Sequence, residues 1–368
     1  MITVLDISNI IYGGHYGSTS SMRPRSVCGF PTGGLFKLFG LLASNLSTSD
    51  FALAFDGDSI IKKELLPEYK ANRLPNYSVY AEIELAKELC SLCNIPILFD
   101  SKYEADDFIY TLCFYVSMLS NERERITIYS DDRDLACCVA PNISLRNATT
   151  NGRYIDFENF SDRVIDKAKI PYNSLLLHKL FYGDSSDNYK GKSFPSTSFD
   201  ILFSDLHSSL KPLIDEGLAI NLHYSNYDVL SAVLNDVSYL EEDKKSILQS
   251  ARIVYPYILD YSDVPFRDLH NSCSSGNLKL YTAYSHLNVF SKNDINMNKF
   301  LSICKTLGVP CHGISAVDKD KEIMDLLYLR GQELSSGDFM VAKAKHKPHV
   351  EDSKPLLTME FPDELSEG

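Results

Sequence analysis

The stretch ITIYSDDRDL, residues 126–135, joins a short run of β-forming residues to a cluster of aspartates. Three more apolar runs rich in β-formers precede it, and each of them also ends in an aspartate. These runs are TVLD (3–6), FALAFD (51–56) and IPILFD (95–100). Their length and composition predict four β-strands in the first 132 residues.

Segments of helical length separate the predicted strands. They are GGLFKLFGLLASNL (33–46), which Thr32 could cap, YSVYAEIELAKELCSLC (77–93) and EADDFIYTLCFYVSML (104–119). Continuous apolar strands joined by helices favour a parallel sheet that is covered on both faces. We therefore predict an α/β fold with a central, mostly parallel sheet and helices on both faces.

The pattern changes after about residue 195, where strand signals nearly vanish and helical periodicity continues to about residue 333. The remaining stretch is polar and punctuated by prolines, which is typical of a flexible tail. We predict an α/β core over residues 1–195, a mostly helical region over residues 196–333 and a flexible tail over residues 334–368.

The composition excludes several classes of protein. The chain has 368 residues, a formal net charge of −13 and nine cysteines. An acidic chain of this kind argues against broad, non-specific wrapping of nucleic acid, although a local basic patch is compatible with it. The odd number of irregularly spaced cysteines does not form a secreted disulfide framework. Without a signal-peptide pattern or a run of 18 apolar residues, we expect a cytoplasmic protein that does not contact membranes.

The strand ends supply the first candidate site residues. Ligands of parallel sheets bind outside the carboxyl ends of the strands, and Asp6, Asp56, Asp100 and the pair Asp131/Asp132 all follow strands at that edge. A single aspartate there is usually a turn or cap residue. Four in succession favour a convergent site.

Other acidic residues extend this set. In KYEADDF, Glu104 and Asp107 share a helical face, and Asp106 joins them if the helix begins nearby. The motif GDSSDN adds a pair that would be an ordinary turn if it stood alone. The candidate ligands are Asp6, Asp56, Glu104, Asp106, Asp107, Asp132, Asp134, Asp184 and Asp187.

Nine carboxylates in one cleft would repel one another unless cations neutralised them. The oxygen-only ligand set favours Mg²⁺, with Mn²⁺ as a substitute, over Zn²⁺. Two such ions about 4 Å apart are the arrangement that cleaves phosphodiesters, one preparing the attacking water and the other stabilising the departing oxygen.

The segment LPEYKANR, residues 66–73, supplies the opposite charge. Lys70 and Arg73 are three residues apart, so that a helix would point both side chains to one side. A solvated basic turn is the alternative. Because the segment closely follows the Asp56 strand, we interpret both as catalytic side chains that bind one phosphate.

Five motifs in this order resemble those of the 5′ nuclease superfamily, which comprises flap endonucleases, the 5′ nuclease domain of bacterial DNA polymerase I and phage 5′ exonucleases. They are PTGG (31–34), PEYKANR (67–73), YEADD (103–107), SDDRDL (130–135) and GDSSDN (183–188). The resemblance implies a PIN-like core, a pair of divalent metals held by the nine acids, and contact of Lys70 and Arg73 with the scissile phosphate. Asp131 takes the place of a glycine in the family motif and is not assigned as a ligand.

The resemblance also implies DNA contacts. The PTGG motif opens a helix at Gly33 and Gly34 whose amides could approach a DNA phosphate. After GDSSDN the family continues into a Gly-rich hairpin that grips duplex DNA, whereas this chain reads YKGKSFPSTSF and keeps only Gly191. Lys190 and Lys192 could still touch phosphate there.

We therefore predict a structure-specific, metal-dependent 5′ nuclease, a 5′-3′ exonuclease or flap endonuclease that acts on flaps, nicks, 5′ ends or RNA primers on DNA during replication. A weaker resemblance to phage nucleases implies a phage-encoded enzyme of the host cytoplasm, and we expect a monomer. A PIN-like ribonuclease and a non-catalytic DNA-binding relative are the alternatives. In the tail, PLLTMEFPDEL (355–365) is either plain disorder or a docking segment for a replication protein.

Overall fold

The computed structural model describes residues 1–17, 25–120, 124–147, 154–155, 172–215, 220–259 and 288–337. The predicted alternation of strands and helices is confirmed for the first part of the chain. Its elements are β1 (Ile2–Asp6), α1 (Ile7–Gly17), β2 (Ser26–Val27), β3 (Phe30–Pro31), α2 (Gly33–Asn45), β4 (Asp50–Ala54), α3 (Ile60–Leu65), α4 (Tyr77–Leu92), α5 (Ala105–Ser120), β5 (Ile126–Tyr129), β6 (Ile143–Arg146) and β7 (Tyr154–Ile155).

The described residues of the second part are mostly helical, as predicted. The helices are α6 (Leu175–Tyr182), α7 (Phe199–Asp215), α8 (Ile220–Tyr224), α9 (Tyr227–Asp236), α10 (Glu241–Val254), α11 (Met297–Leu307) and α12 (Lys321–Ser336). The last helix extends three residues past the predicted start of the tail. Residues 338–368, with the predicted docking segment, lie outside the described residues.

The main sheet has five strands in the order β4-β1-β5-β6-β7. All neighbours are parallel except β6 and β7, which confirms the predicted mostly parallel sheet. Strand β1 lies between β4 and β5, so that its carboxyl end is flanked by the carboxyl ends of these two strands.

One predicted strand is wrong. Residues 95–100 form only a single bridge, in which the Leu98 amide donates to the Leu53 carbonyl (2.8 Å) and the Phe55 amide donates to the Leu98 carbonyl (3.0 Å). Pro96 has no amide hydrogen and cannot continue a strand ladder. The segment therefore reaches the edge of β4 without adding a full strand.

The sheet separates two apolar clusters. Alternate strand residues point to opposite faces, so that Val4 packs with α5 and the helices between residues 175 and 254, while Leu5 packs with α1, α2 and α4. Both faces are thus covered by helices. The strands read as continuous apolar runs because neither face meets water.

The last described segment packs on the α2/α4 face. Phe290 exchanges two backbone hydrogen bonds with Phe51 of β4 (2.7 and 2.9 Å), and the Phe300 ring lies 5.8 Å from that of Phe39. Residues 288–337 consequently share a core with the N-terminal α/β region. None of the described helices is long and apolar enough to cross a membrane.

We predict that Phe300→Ala lowers the free energy of unfolding by about 3–5 kcal/mol, because the side chain is only 1% exposed and its removal leaves a cavity. Urea unfolding followed by circular dichroism measures the change. Leu329→Ala is the control, since this side chain is 52% exposed and its loss should change stability by less than about 0.5 kcal/mol. Similar small effects for both variants would show that α11 is not part of the cooperative core.

Candidate metal centre

The strand ends meet as predicted. Asp6 is the last residue of β1, and its carboxylate accepts hydrogen bonds from the Ser130 hydroxyl (2.6 Å) and the Asn9 amide (3.2 Å). Ser130 directly follows β5, and its hydroxyl accepts from the Asp132 amide (2.9 Å). A single serine therefore connects the acids of two neighbouring strands.

Asp56 approaches the same edge from β4. Its carboxylate accepts a hydrogen bond from the Ala105 amide (2.9 Å), the first amide of α5, so that it lies beside Asp106. Asp100, the other strand-end aspartate, is exposed and accepts from the Lys102 amide (2.8 Å) as an ordinary turn residue.

Four carboxylates at this edge form what we call the inner cluster: Asp6, Asp56, Asp106 and Asp132. Burial, and then the negative charge of Asp56, raise the pKa of Asp6 to about 8. Burial, and then the charge of Asp132, hold the pKa of Asp106 well above its ordinary value. These shifts indicate negative charge that the protein itself does not neutralise.

Three more carboxylates form the outer cluster: Asp134, Asp184 and Asp187. Each offers an oxygen within 4.8 Å of the others, close enough to hold one metal ion. Lys179 donates to both carboxylate oxygens of Asp134 (2.6 and 2.5 Å) and to Asp184. Burial and the negative charge of Asp132 raise the pKa of Asp134 to about 6, although Lys179 lowers it. Since Asp132 belongs to the inner cluster and Asp134 to the outer cluster, the two clusters are neighbours.

Glu104 lies between the clusters and the PEYKANR segment. Its buried carboxylate accepts from the Ser59 hydroxyl (2.7 Å), from Lys62 (2.8 Å) and from Lys70. Although burial opposes its charge, the ammonium groups of Lys62 and Lys70 hold the pKa of Glu104 well below its ordinary value. Glu104 is thus ionised and fully paired.

Asp107 differs from the other predicted ligands. Its two carboxylate oxygens accept from the backbone amides of Glu104 (2.9 Å) and Tyr257 (2.8 Å). The first bond caps α5 and the second connects that helix to the segment after α10. Because backbone amides occupy both of its carboxylate oxygens, Asp107 has a structural role, and we do not include it in either cluster.

Lys70 and Arg73 lie together, but not on a helix as the spacing suggested. Residues 67–72 form turns, and Lys70 has a left-handed backbone with φ of 55°. The Lys70 ammonium lies 3.9 Å from Asp187, and Arg73 donates to the same carboxylate (2.7 Å). The turn thus achieves the convergence that we expected from a helix.

The PEYKANR and GDSSDN segments are joined by hydrogen bonds, two from asparagine side chains and one between backbones. Asn72 donates to the Ser185 carbonyl (2.9 Å), the Lys70 amide donates to the Asp187 carbonyl (3.0 Å), and Asn188 donates to the Glu68 carbonyl (2.9 Å). The candidate phosphate-binding turn and the outer cluster are therefore fixed relative to each other.

The expected phosphate site at Gly33 and Gly34 needs correction. The amides of Gly34 and Leu35 donate to the buried carboxylate of Glu82 (2.7 and 3.2 Å), whose other oxygen pairs with His15. An internal anion already occupies the first turn of α2, and both glycines are buried. These amides have no room for a DNA phosphate in this structure.

Lys190 and Lys192 are exposed, as a contact with phosphate requires. The Lys192 ammonium lies 3.2 Å from the Ser246 hydroxyl. In place of a Gly-rich hairpin, residues 194–197 form a tight turn in which Ser196 donates through its amide (2.6 Å) and its hydroxyl to Asp243.

Sequence reasoning missed Lys62, Tyr69 and Lys179. The Tyr69 hydroxyl lies 2.9 Å from Glu104 and 3.1 Å from Asp187, while Lys62 is only 5% exposed. Lys62 lies in the polar run IKKEL and Lys179 in the helix LLLHKLFY, where a lysine ordinarily faces solvent. Only the position of Tyr69 directly before Lys70 was a usable signal.

The arrangement fits divalent metal ions. Oxygen atoms are the only donors at the two clusters, and the raised pKa values of Asp6, Asp106 and Asp134 show that cations are needed to keep these groups ionised together. Residues from both clusters and Glu104 line one cavity. The site can therefore hold cations beside Lys70 and Arg73.

Comparison with known proteins agrees with this geometry. Residues 1–167 match the family described as 5′-3′ exonuclease, N-terminal resolvase-like domain. The chain is 33% identical over 141 residues to the 5′-3′ exonuclease of Bacillus subtilis (strain 168), covering 37% of this chain and 44% of that protein. It is 27% identical over 208 residues to the 5′-3′ exonuclease of Aquifex aeolicus (strain VF5), covering 54% and 68%.

DNA polymerase I of Caldicellulosiruptor bescii is 25% identical over 259 residues, which are 68% of this chain and 28% of that protein. The chain thus spans less than half of the Bacillus and Caldicellulosiruptor proteins. Among solved structures, bacteriophage T5 D15 flap endonuclease in complex with DNA and metal ions has a TM-score of 0.46 at 15% identity, covering 78% of this chain and 98% of that one. The sequence matches confirm the resemblance to the 5′ nuclease superfamily.

The pKa of Asp6 predicts a pH dependence of stability without metal. Because the folded protein holds a proton on Asp6 up to about pH 8 and the unfolded chain releases it near 3.8, this group favours folding at low pH and loses that effect as the pH rises between those values. In EDTA, Asp6→Asn should therefore be more stable than the wild type at pH 8. The difference in unfolding free energy should grow by up to about 1.4 kcal/mol per pH unit across this window.

Denaturant unfolding at a series of pH values, in the presence of EDTA, measures this difference. Asp100→Asn is the matched control, since its carboxylate is exposed and lies outside both clusters. If the advantage of Asp6→Asn did not change with pH, Asp6 would not be a buried, uncompensated acid.

Proposed function

Because residues 1–167 match the 5′-3′ exonuclease family, we propose that the protein is a metal-dependent, structure-specific 5′ nuclease that hydrolyses phosphodiesters near 5′ ends. One observation carries the proposal: the inner and outer clusters adjoin, and Lys70 and Arg73 stand at their border. Nucleic acids with a 5′ flap, a nick or a free 5′ end are the substrates, including RNA primers on DNA.

The proposed cofactor is a pair of Mg²⁺ ions, for which Mn²⁺ can substitute. The inner cluster and the outer cluster each offer several carboxylate oxygens, the ligands that these hard cations prefer. When bound, the two ions would supply an activated water and stabilise the charge that develops on the leaving oxygen. Glu104, paired with Lys62 and Lys70, would lie beside both clusters and keep Lys70 in place.

Lys70 and Arg73 bind and orient the phosphate in this proposal. Both are bonded to acids that line the cavity, and Arg73 is half-exposed and therefore reachable by substrate. Without substrate they pair with Glu104 and Asp187. A phosphate that binds between them would replace these carboxylates as the hydrogen-bond acceptor. Neither cation would then have to lose further water when the substrate binds.

Replacing a cluster acid tests the function directly. We expect Asp132→Asn to reduce cleavage of a 5′-flap substrate by roughly 100-fold or more, because losing a ligand removes several kcal/mol of charge stabilisation. Asp131→Asn is the matched control: the backbone amide of Asp131 donates to the Asn9 side chain (2.8 Å), and its charge acts on Lys37. Its rate should stay close to that of the wild type.

Cleavage is measured on end-labelled flap, nicked, single-stranded and RNA:DNA substrates, each with Mg²⁺ and with excess EDTA. Full activity in EDTA would overturn the metal-dependent mechanism. Equal losses for the two variants would show that the assignment of ligands in SDDRD is wrong.

Lys179 gives a second prediction. Its ammonium occupies the outer cluster at hydrogen-bond distance from Asp134 and Asp184, where a metal ion would bind. Lys179→Met should therefore raise the affinity for Mn²⁺ by about tenfold or more, because a competing positive charge is lost. Electron paramagnetic resonance of free Mn²⁺ measures binding without any nucleic acid.

Lys190→Met is the control for this measurement, since Lys190 is exposed and bonds to none of the clustered acids. Its Mn²⁺ affinity should equal that of the wild type. Weaker binding by Lys179→Met would mean that the lysine positions the carboxylates for the ion instead of competing with it.

A further inference from the structure

A row of aromatic rings runs along α6 and α7, from the exposed Tyr182 to Phe199 and Phe203, which are partly buried against the core. Tyr182 is 64% exposed, and its ring lies 4.2 Å from His178 and 6.3 Å from Phe199. Phe203 stacks on Phe199 at 5.9 Å, and His207 stacks on Phe203 at 6.3 Å. We call these five residues the aromatic row.

The aromatic row begins at the outer cluster. Tyr182 is the last residue of α6 and lies two residues before Asp184. It also follows Lys179 by three residues, and the Lys179 ammonium bonds to Asp134 and Asp184. The Tyr182 ring therefore stands on the same short segment of chain as Lys179 and Asp184 of the candidate metal centre.

Two exposed lysines flank the row. The backbone of Gly191 packs directly on that of α6, because a side chain there would lie 2.5 Å from the Phe181 carbonyl and 2.8 Å from the Tyr182 carbonyl carbon. The neighbours of Gly191 in the chain are Lys190 and Lys192, both exposed. Positive charge and an open aromatic face thus lie side by side.

Packing does not require Tyr182. The apolar face of α6 is filled by Leu176, Leu177 and Leu180, and that of α7 by Leu202 and Leu206, all of them buried. A large, exposed aromatic ring beside them adds little to the core.

We propose that Tyr182, at the exposed end of the aromatic row, stacks an unpaired base of a single-stranded stretch of substrate, while Lys190 and Lys192 bind its phosphates. This inference rests on the proposed nuclease function. Exposed aromatic faces combined with lysines are the pattern that binds single strands without sequence preference. In a duplex the base faces are already stacked on one another, so that the ring would gain little from double-stranded nucleic acid.

The chain contains no tryptophan, which allows a sharp test. Tyr182→Trp keeps an aromatic ring and introduces a single tryptophan at the row, which can be excited selectively over the tyrosines. In EDTA at fixed ionic strength, single-stranded oligothymidine should quench its fluorescence, and a duplex of equal length should quench it much less. Tyr328→Trp on α12 is the control, since Tyr328 is 56% exposed and lies outside the row; its fluorescence should not change.

Affinity gives the second readout. Tyr182→Ala should weaken binding of labelled oligothymidine, measured by anisotropy, by about 5- to 150-fold, which corresponds to roughly 1–3 kcal/mol for one stacked base. Tyr182→Phe keeps the ring and should bind like the wild type, which separates stacking from loss of the hydroxyl. Circular dichroism checks that each variant is folded.

The two proposals fail in different ways. Suppose that the wild type cleaves in Mg²⁺ but that single strands do not quench Tyr182→Trp. This result would overturn the proposed stacking of bases and leave the proposed nuclease function standing. Quenching without any cleavage in Mg²⁺ would support the row and overturn the proposed function. Equal quenching by duplex and single strand would overturn base stacking as the mode of binding.

Discussion

The repulsion among carboxylates at one edge of the sheet is the constraint on which the site depends. Buried acids that face one another cannot all ionise, and the raised pKa of Asp6 and of Asp134 records this conflict. The protein answers it unevenly. Lysines and an arginine neutralise Glu104 and the outer cluster. In the described part of the chain, the inner cluster accepts hydrogen bonds only from the Ser130 hydroxyl and from backbone amides. The unbalanced charge therefore concentrates at the inner cluster.

A close approach of two backbones supports the other side of the site. Gly183 has a left-handed φ of 85°, and a side chain there would lie 2.6 Å from the Tyr189 carbonyl. Only glycine fits this contact, which closes the GDSSDN turn on itself through the pair Asp184 and Tyr189. Because the same turn binds PEYKANR, the position of Arg73 depends on a glycine more than a hundred residues away.

Local rules explain which parts of the structure could be predicted. The convergence of Asp6, Asp56 and Asp132 follows from strand topology alone, since parallel strands bring their carboxyl ends to one edge. The different roles of Asp106 and Asp107 do not follow from it. They depend on α5 starting at Ala105 and on the amide of Tyr257, a contact 150 residues away in the chain. Similarly, Lys62 and Lys179 sit in runs whose local pattern is typical of solvated lysines, and only tertiary contacts show otherwise.

The basic side chains of the site are paired with acidic side chains, and these pairs can be exchanged for others. Lys70 and Arg73 pair with carboxylates that would ligate metal, and Lys179 lies inside the outer cluster itself. A cation that entered the outer cluster would take carboxylate oxygens away from Lys179 or Arg73. A lysine or arginine released in this way seeks a new anion, and the phosphate of a substrate is one. Cation binding and phosphate binding would then favour each other, because the first frees the groups that the second needs. Lys62 stands apart from this exchange, since it is deeply buried and keeps Glu104 ionised whichever partner Lys70 takes.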